Sequence, residues 1–143
     1  MTALRFGLAA AVLAAVGGCT PALPGVTGTV TLDGQPVGDA IVRFYQPGDP
    51  ASAMPVFFTV TRPDGTFDIP SGDNGRAGPP VGRFAVAVVK YKDKPVMGMP
   101  REKVAALKSL LPVAYADPAA SGLTADLKGG ANPVELKLEG GKK

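Results

Sequence analysis

The chain has 143 residues, of which 15 are basic and 12 acidic, with one cysteine and no histidine. This length suits one domain rather than two of ordinary size. Without histidine the chain lacks the commonest general base and the commonest catalytic metal ligand. A single cysteine excludes an intramolecular disulfide, and a formal net charge of +3 without a basic stripe argues against nucleic-acid binding.

The first predicted element is an export signal. Residues 1–5 carry one positive charge, and residues 6–16 are rich in Ala, Leu and Val. This apolar stretch is too short to cross a bilayer as a helix, which takes about 20 residues. It fits the hydrophobic region of a secretory signal. Residues 16–19 (Val-Gly-Gly-Cys) then resemble a lipobox, the motif read by bacterial lipoprotein-processing enzymes.

The lipobox resemblance implies that the Cys19 sulfur receives a diacylglyceryl group and that cleavage leaves Cys19 as the first residue. We therefore expect a signal peptide at residues 1–18 and a lipidated cysteine with its tether at 19–25. The protein would be held in the cell envelope by a lipid anchor, on the periplasmic side or at the cell surface. The alternative is an ordinary secretory signal, but the position of the chain's only cysteine favours lipidation.

From residue 26 onward, apolar residues recur with a period of two, which is typical of strands. The turn at residues 62–65 (Arg-Pro-Asp-Gly) is expected to join the strands on either side of it as a hairpin. Residues 95–112 break the pattern and predict one or two helical turns or an ordered loop. The predicted strands cover residues 26–32, 40–45, 56–61, 66–69, 82–91, 123–127 and 134–139, with 82–91 in a central position because it is apolar on both faces.

These elements predict an all-β fold. About seven short strands are expected for an immunoglobulin-like or transthyretin-like β-sandwich. A short helical or irregular insertion would precede the last two strands. The domain would span residues 26–139, and residues 140–143 would form a basic tail.

Several turn motifs carry a family resemblance. Residues 28–37, which include Asp-Gly-Gln-Pro, and residues 40–44 look like the opening of the carboxypeptidase regulatory-like domains, transthyretin-like sandwiches of bacterial envelope proteins. Residues 64–67 and 80–86 match the next landmarks, and residues 111–124 resemble a tail seen in small single-domain lipoproteins of this type. The resemblance implies a fold and not an activity, since members are mostly accessory modules without known chemistry.

We expect no catalytic site, no metal site and no cofactor. No serine lies in a Gly-x-Ser-x-Gly motif, and no histidine is present to activate one. Asp64, Asp68 and Asp73 cluster near one predicted turn, and calcium prefers loop oxygens, but the chain has no Asp-x-Asp-x-Asp-Gly run. We interpret these aspartates as turn-forming residues.

Three tyrosines are the candidate ligand-binding residues, because sugar-binding sandwiches usually present exposed aromatic rings. We expect Tyr45 and Tyr91 on outward strand faces and Tyr115 in the irregular segment. The predicted function is a non-enzymatic envelope lipoprotein module that binds or scaffolds another envelope component, whether protein or glycan. A protein partner would add a strand to an exposed sheet edge. The alternative is a carbohydrate-binding accessory lipoprotein.

Overall fold

The structure, a computed structural model, describes residues 24–48, 55–72 and 78–141. The predicted signal peptide, Cys19 and most of the tether lie outside these residues. The described residues form eight strands and three short helices, in chain order: β1 Gly25–Leu32, β2 Gln35–Pro36, β3 Ile41–Tyr45, β4 Phe57–Val60, β5 Thr66–Ile69, β6 Gly82–Val89, α1 Arg101–Ala105, a 3-10 helix Val113–Ala116, α2 Pro118–Ser121, β7 Leu123–Leu127 and β8 Ala131–Leu138.

The strands form the two sheets of an all-β sandwich, as the sequence predicted. In the first sheet, β1 pairs with β2 and β5 in antiparallel fashion and with β8 in parallel. The second sheet is antiparallel throughout, in the order β4-β3-β6-β7. The central position predicted for β6 is confirmed, because β6 pairs with β3 on one side and β7 on the other.

The core lies between the two sheets and is built by strand alternation. On β1, Val26 and Val30 are fully buried, while Thr27 and Thr29 point outward. Aromatic rings fill the middle of the core. Phe44 stacks on Phe57 with ring centroids 4.4 Å apart. Residues from every strand of five or more residues complete this cluster, including Val42, Phe84, Val86, Leu127, Leu136 and Leu138.

The predicted hairpin at residues 62–65 is wrong. β4 pairs with β3 in the second sheet, whereas β5 pairs with β1 in the first. The turn forms as expected, since the Gly65 N–H donates to the Arg62 carbonyl (2.8 Å), but the chain crosses from one sheet to the other within it. Turn residues determine where the chain reverses. They do not determine whether the returning strand lies beside the outgoing strand or opposite it.

The insertion predicted before the last two strands is confirmed. It contains α1, the 3-10 helix and α2. At the start of α2, the Asp117 carboxylate accepts a hydrogen bond from the Ala119 N–H (2.8 Å), and the helix ends at Gly122, whose φ of 69° is left-handed. Among the described residues, no helix combines the length and the apolar character needed to cross a bilayer.

Candidate interaction surface

The three candidate tyrosines lie in different environments. Tyr45 is half-buried on β3, with its side chain on the outer face of the second sheet. Tyr91 is half-buried beyond the end of β6, where it forms an isolated bridge with Ser109. The structure therefore places two of the three on the surface but does not group them with Tyr115.

The burial of Tyr115 contradicts the expectation that its ring is available to a ligand. It is only 2% exposed and belongs to the hydrophobic core. Its hydroxyl accepts a hydrogen bond from the Glu139 N–H (2.7 Å), which ties the 3-10 helix to the end of β8. A tyrosine whose ring is packed and whose hydroxyl is hydrogen-bonded stabilises the fold rather than offering a stacking face.

The most unusual surface lies on β4 and the residue before it. The outward residues here are all apolar, and Val56, Phe58 and Val60 are 46%, 64% and 50% exposed. We call these three residues the β4 patch. On the neighbouring strand β3, Arg43 lies opposite Phe58 and Ile41 lies opposite Val60, and both are half-buried. The outer face of the second sheet is thus apolar at a place where antiparallel sandwiches normally present polar residues.

The β4 patch also borders an open sheet edge. Among the described strands, β4 pairs only with β3. The Thr61 N–H donates to the Ala40 carbonyl (2.8 Å), and in an antiparallel ladder alternate residues direct their backbone groups at the same neighbour. The backbone N–H and C=O groups of Phe58 and Val60 therefore point away from β3, toward the open edge. The alternation ends at Val56, whose N–H donates to the Phe44 carbonyl of β3 (2.8 Å).

A small cavity of about 160 Å³ continues the patch toward the end of the sandwich. Ile41, Val60, Tyr91 and Pro95 line it with Asp39 and Lys94, whose carboxylate and ammonium groups lie 2.8 Å apart. The hydrogen bond from Lys94 lowers the pKa of Asp39 below its usual range. Pockets for small-molecule ligands usually measure about 300–1,000 Å³. This cavity has room for one side chain of a larger partner.

The aspartates considered as calcium ligands are engaged in local interactions. The Asp64 carboxylate accepts hydrogen bonds from the Thr66 hydroxyl (2.6 Å) and the Thr66 N–H (3.0 Å), which lower the pKa of Asp64. Asp68 forms an ion pair with Arg62. Asp73 lies outside the described residues, and the part of the chain that is described contains no group of three or more metal-ligating side chains.

Sequence reasoning did not single out the β4 patch. The signal was present, since Val56, Phe58 and Val60 alternate with Phe57 and Thr59, so that the strand is largely apolar on both faces. A strand that is apolar on both faces predicts a central position. Only the sheet order shows that β4 lies at an edge, where its second apolar face meets solvent.

Comparison with known proteins gives little further information. No protein-family model matches the chain, and no curated protein matches it. A solved structure that aligns with it is the dioxygenase domain of a dioxygenase and carbohydrate-binding fusion protein from the cellulolytic bacterium Streptomyces sp. SirexAA-E. The identity is 20%, the alignment covers 87% of this chain and 84% of that chain, and the TM-score is 0.33. Likeness at this level carries no argument about fold or function.

Proposed function

We propose that the protein is a non-enzymatic, lipid-anchored module of the bacterial envelope that binds another envelope protein through the β4 patch and the adjacent open edge. The observation that carries this proposal is the exposure of the apolar β4 patch, formed by Phe58 and Val60 on an edge strand and by Val56 just before it. Contiguous exposed apolar surface on a folded domain commonly marks an interaction site.

The backbone of β4 supports strand addition as the mode of binding. An extended segment of a partner can pair with the N–H and C=O groups of Phe58 and Val60, and main-chain hydrogen bonds then contribute affinity. Specificity would come from side chains of the partner that cover Phe58 and enter the cavity beside Val60. The partner segment would form a fifth strand of the second sheet.

Proline and charged residues protect many edge strands from unwanted pairing, and β4 has neither. Its four residues are Phe57, Phe58, Thr59 and Val60. The edge strand β8, by contrast, contains Pro133 and charged residues at 135 and 137. An unprotected edge on an exported domain is consistent with selection for a partner that covers it.

Site-specific photocrosslinking in native envelopes tests this proposal. A photoreactive phenylalanine analogue replaces Phe58 in one variant and Thr29 in a matched control, since Thr29 points outward from the other sheet. We expect a discrete protein adduct from position 58 and none from position 29. Adding Val60→Lys to the variant labelled at position 58 should abolish the adduct, because a charged side chain at the sheet edge disfavours pairing with another strand.

Equal labelling from both positions, or none from either, would rule out the β4 patch as the binding surface. An adduct with the mass of two copies of the chain would replace the partner with a second copy. Mass spectrometry of the crosslinked band distinguishes these results.

A carbohydrate ligand is the second candidate, favoured by one observation. Tyr45 and Phe58 lie on the same outer face of adjacent strands, so their rings could together provide a stacking platform. Affinity electrophoresis against envelope polysaccharides tests it. Retardation that is lost in both Tyr45→Ala and Phe58→Ala would support a glycan ligand, and unchanged mobility in every polysaccharide would exclude one.

The anchor needs its own test. The lipobox resemblance at residues 16–19 supports acylation of Cys19, and the acyl chains would place the protein in the detergent phase of a phase-separation assay. Mass spectrometry of the N-terminal peptide should show acylated Cys19. A wild-type protein that partitions into the aqueous phase would contradict the anchor, whatever the result for β4.

A further inference from the structure

A second surface lies at the opposite end of the domain from Gly25. Residues 90–110, which we call the excursion, leave the end of β6 and return beside it. The Lys92 N–H donates to the Lys108 carbonyl (3.0 Å), and the Leu110 N–H donates to the Lys90 carbonyl (2.7 Å). These hydrogen bonds close the base of the excursion, and Tyr91 and Pro95 in its first part lie beside Ile41 and Val60.

The excursion concentrates the positive charge of the chain. It holds six of the 15 basic residues and two of the 12 acidic ones, for a net charge of +4, and the rest of the chain, with nine basic and ten acidic residues, has a net charge of −1. Five of the six basic residues are exposed and the sixth is half-buried. They are Lys90, Lys92, Lys94, Arg101, Lys103 and Lys108.

The tip of the excursion is apolar. Val96 to Met99 form a tight turn, in which the Met99 N–H donates to the Val96 carbonyl (3.0 Å) and Gly98 has a φ of 85°. A positive φ at the third position is the mark of a type II turn, and this turn places Met97 at its corner. Met97 is fully exposed and Val96 is 66% exposed. Two apolar side chains thus extend into solvent with basic residues on both sides in the sequence.

We propose that the excursion docks on an anionic lipid bilayer, with Met97 and Val96 entering the interfacial region. Its exposed lysines other than Lys94, whose ammonium group is paired with Asp39 (2.8 Å), contact headgroup phosphates. Apolar side chains flanked by lysine and arginine are the combination that interfacial membrane binding uses. A protein partner fits less well, because protein interfaces are depleted in lysine and five of the six basic residues here are lysines.

The position of the excursion is compatible with the proposed anchor. Gly25 begins β1 next to the β7–β8 turn, whereas Val89 ends β6 next to Ile41, at the other end of the sheets. Eight-residue strands span about 26 Å. The chain from Cys19 to Gly25 has six residue-to-residue steps and reaches at most about 22 Å. The acyl chains and the excursion can therefore contact one membrane together when the strands lie along its surface.

This orientation depends on the lipid anchor of the proposed function, but the affinity of the excursion for lipid does not. Contact at both ends would fix the direction in which the β4 patch faces. A single anchored end would leave the domain free to rotate about its tether.

The chain has no tryptophan, so Met97→Trp introduces a unique fluorescent reporter at the tip. The protein purified from envelope membranes is reconstituted into vesicles of phosphatidylcholine alone or of phosphatidylcholine with phosphatidylglycerol. We expect a blue shift of the reporter's emission, and its quenching by brominated acyl chains, in the anionic vesicles only. Phe58→Trp, which places the reporter on the β4 patch, is the matched control and should show neither.

Charge variants test whether the lysines of the excursion contribute to lipid binding. Neutralising Lys103 and Lys108 with Gln should lower the ratio of docked to undocked protein about fivefold for each lysine removed. Raising the salt concentration should act in the same direction. Both side chains are exposed, so the variants should unfold at the wild-type temperature.

The results that would overturn lipid docking differ from those that would indicate failure of the anchor. Emission from the Met97→Trp variant that is the same in both vesicle types, or a Phe58→Trp shift as large as the Met97→Trp shift, would overturn lipid docking by the excursion. Failure of the anchor would appear separately, as protein that does not float with phosphatidylcholine vesicles. Emission that shifts only in the presence of an acidic protein would assign the excursion to a protein partner and also overturn the proposal.

Discussion

The two sheets present similar inner faces and very different outer faces. Inside, both contribute buried valines, leucines and phenylalanines to one core. Outside, the first sheet presents threonines such as Thr27 and Thr29, together with Asp68 and Glu135, whereas the second sheet presents the β4 patch. A sandwich needs its inner residues to fold, but its outer residues are free to be polar. The apolar outer face of β4 therefore calls for a reason outside the fold.

The largest loss of folding stability is expected from a substitution on the inner side of the first sheet. A Cβ at Gly28 would overlap the Val134 carbonyl oxygen and the ring of Phe67, which packs directly over this glycine. Gly28→Val should lower the free energy of unfolding by about 3 kcal/mol or more, because neither backbone nor core ring can move freely. Urea unfolding followed by circular dichroism measures the change.

Thr29→Val is the control for that substitution. It introduces the same side chain one residue further along β1, on the exposed outer face. Its stability should stay within about 0.5 kcal/mol of the wild type. Equal losses in both variants would contradict the assignment of inner and outer faces on β1.

A smaller loss of folding stability is expected from removing the hydrogen bond that joins the insertion to the first sheet. Tyr115→Phe keeps the buried ring but removes the hydroxyl that accepts from the Glu139 N–H. We expect a loss of about 1 kcal/mol in the free energy of unfolding. Tyr45→Phe, on the half-exposed outer face of β3, should change little. A Tyr115→Phe variant as stable as the wild type would show that this hydrogen bond does not hold the insertion in place.

A still smaller stability change is expected on the β4 patch. Phe58→Thr gives the second sheet the kind of residue that the first sheet presents, and it should alter the free energy of unfolding by less than about 0.5 kcal/mol. Binding of a hydrophobic dye to the folded protein should fall, since Phe58 is the most exposed residue of the patch.

The neighbouring residue provides the contrast. Phe57 stacks on Phe44 in the core, so Phe57→Thr should cost more than about 2 kcal/mol and leave dye binding to the folded state unchanged. If the two phenylalanines had equal effects on stability, the exposed position of Phe58 would be wrong.

Much of the fold could be predicted because strand alternation and turn chemistry act locally. The period of two places Val26 and Val30 inward, and Asp33-Gly34 makes the reversal between β1 and β2, with φ values of 49° and 83°. These preferences depend on residues close in sequence. The same holds for the insertion, where the loss of strand periodicity correctly predicted helical or irregular structure.

Strand order was harder to predict, because it depends on contacts between distant segments. The Arg62–Gly65 turn has the same residues whether β5 lies beside β4 or across the core from it. The β4 patch was missed for the same reason, since the exposure of Phe58 follows from the edge position of β4. Tyr115 lies in the insertion as expected, but its ring is buried and not available to a ligand, and the sequence does not show that the Glu139 N–H would reach its hydroxyl.

The smallest predicted effect concerns Asp64, in the turn that carries the chain from one sheet to the other. Hydrogen bonds from Thr66 lower the pKa of Asp64 below its ordinary value of 3.8, so the folded state favours the charged carboxylate. Its contribution to stability is therefore complete above pH 3.8 and is lost as the pH falls through the lowered pKa of the folded protein. Asp64→Asn removes this titration. Urea unfolding at a series of pH values measures the free energy of unfolding of both proteins. The difference between wild type and variant should shrink as the pH falls below 3.8. A difference that stays constant at every pH would mean that the Thr66 hydrogen bonds do not favour the charged form.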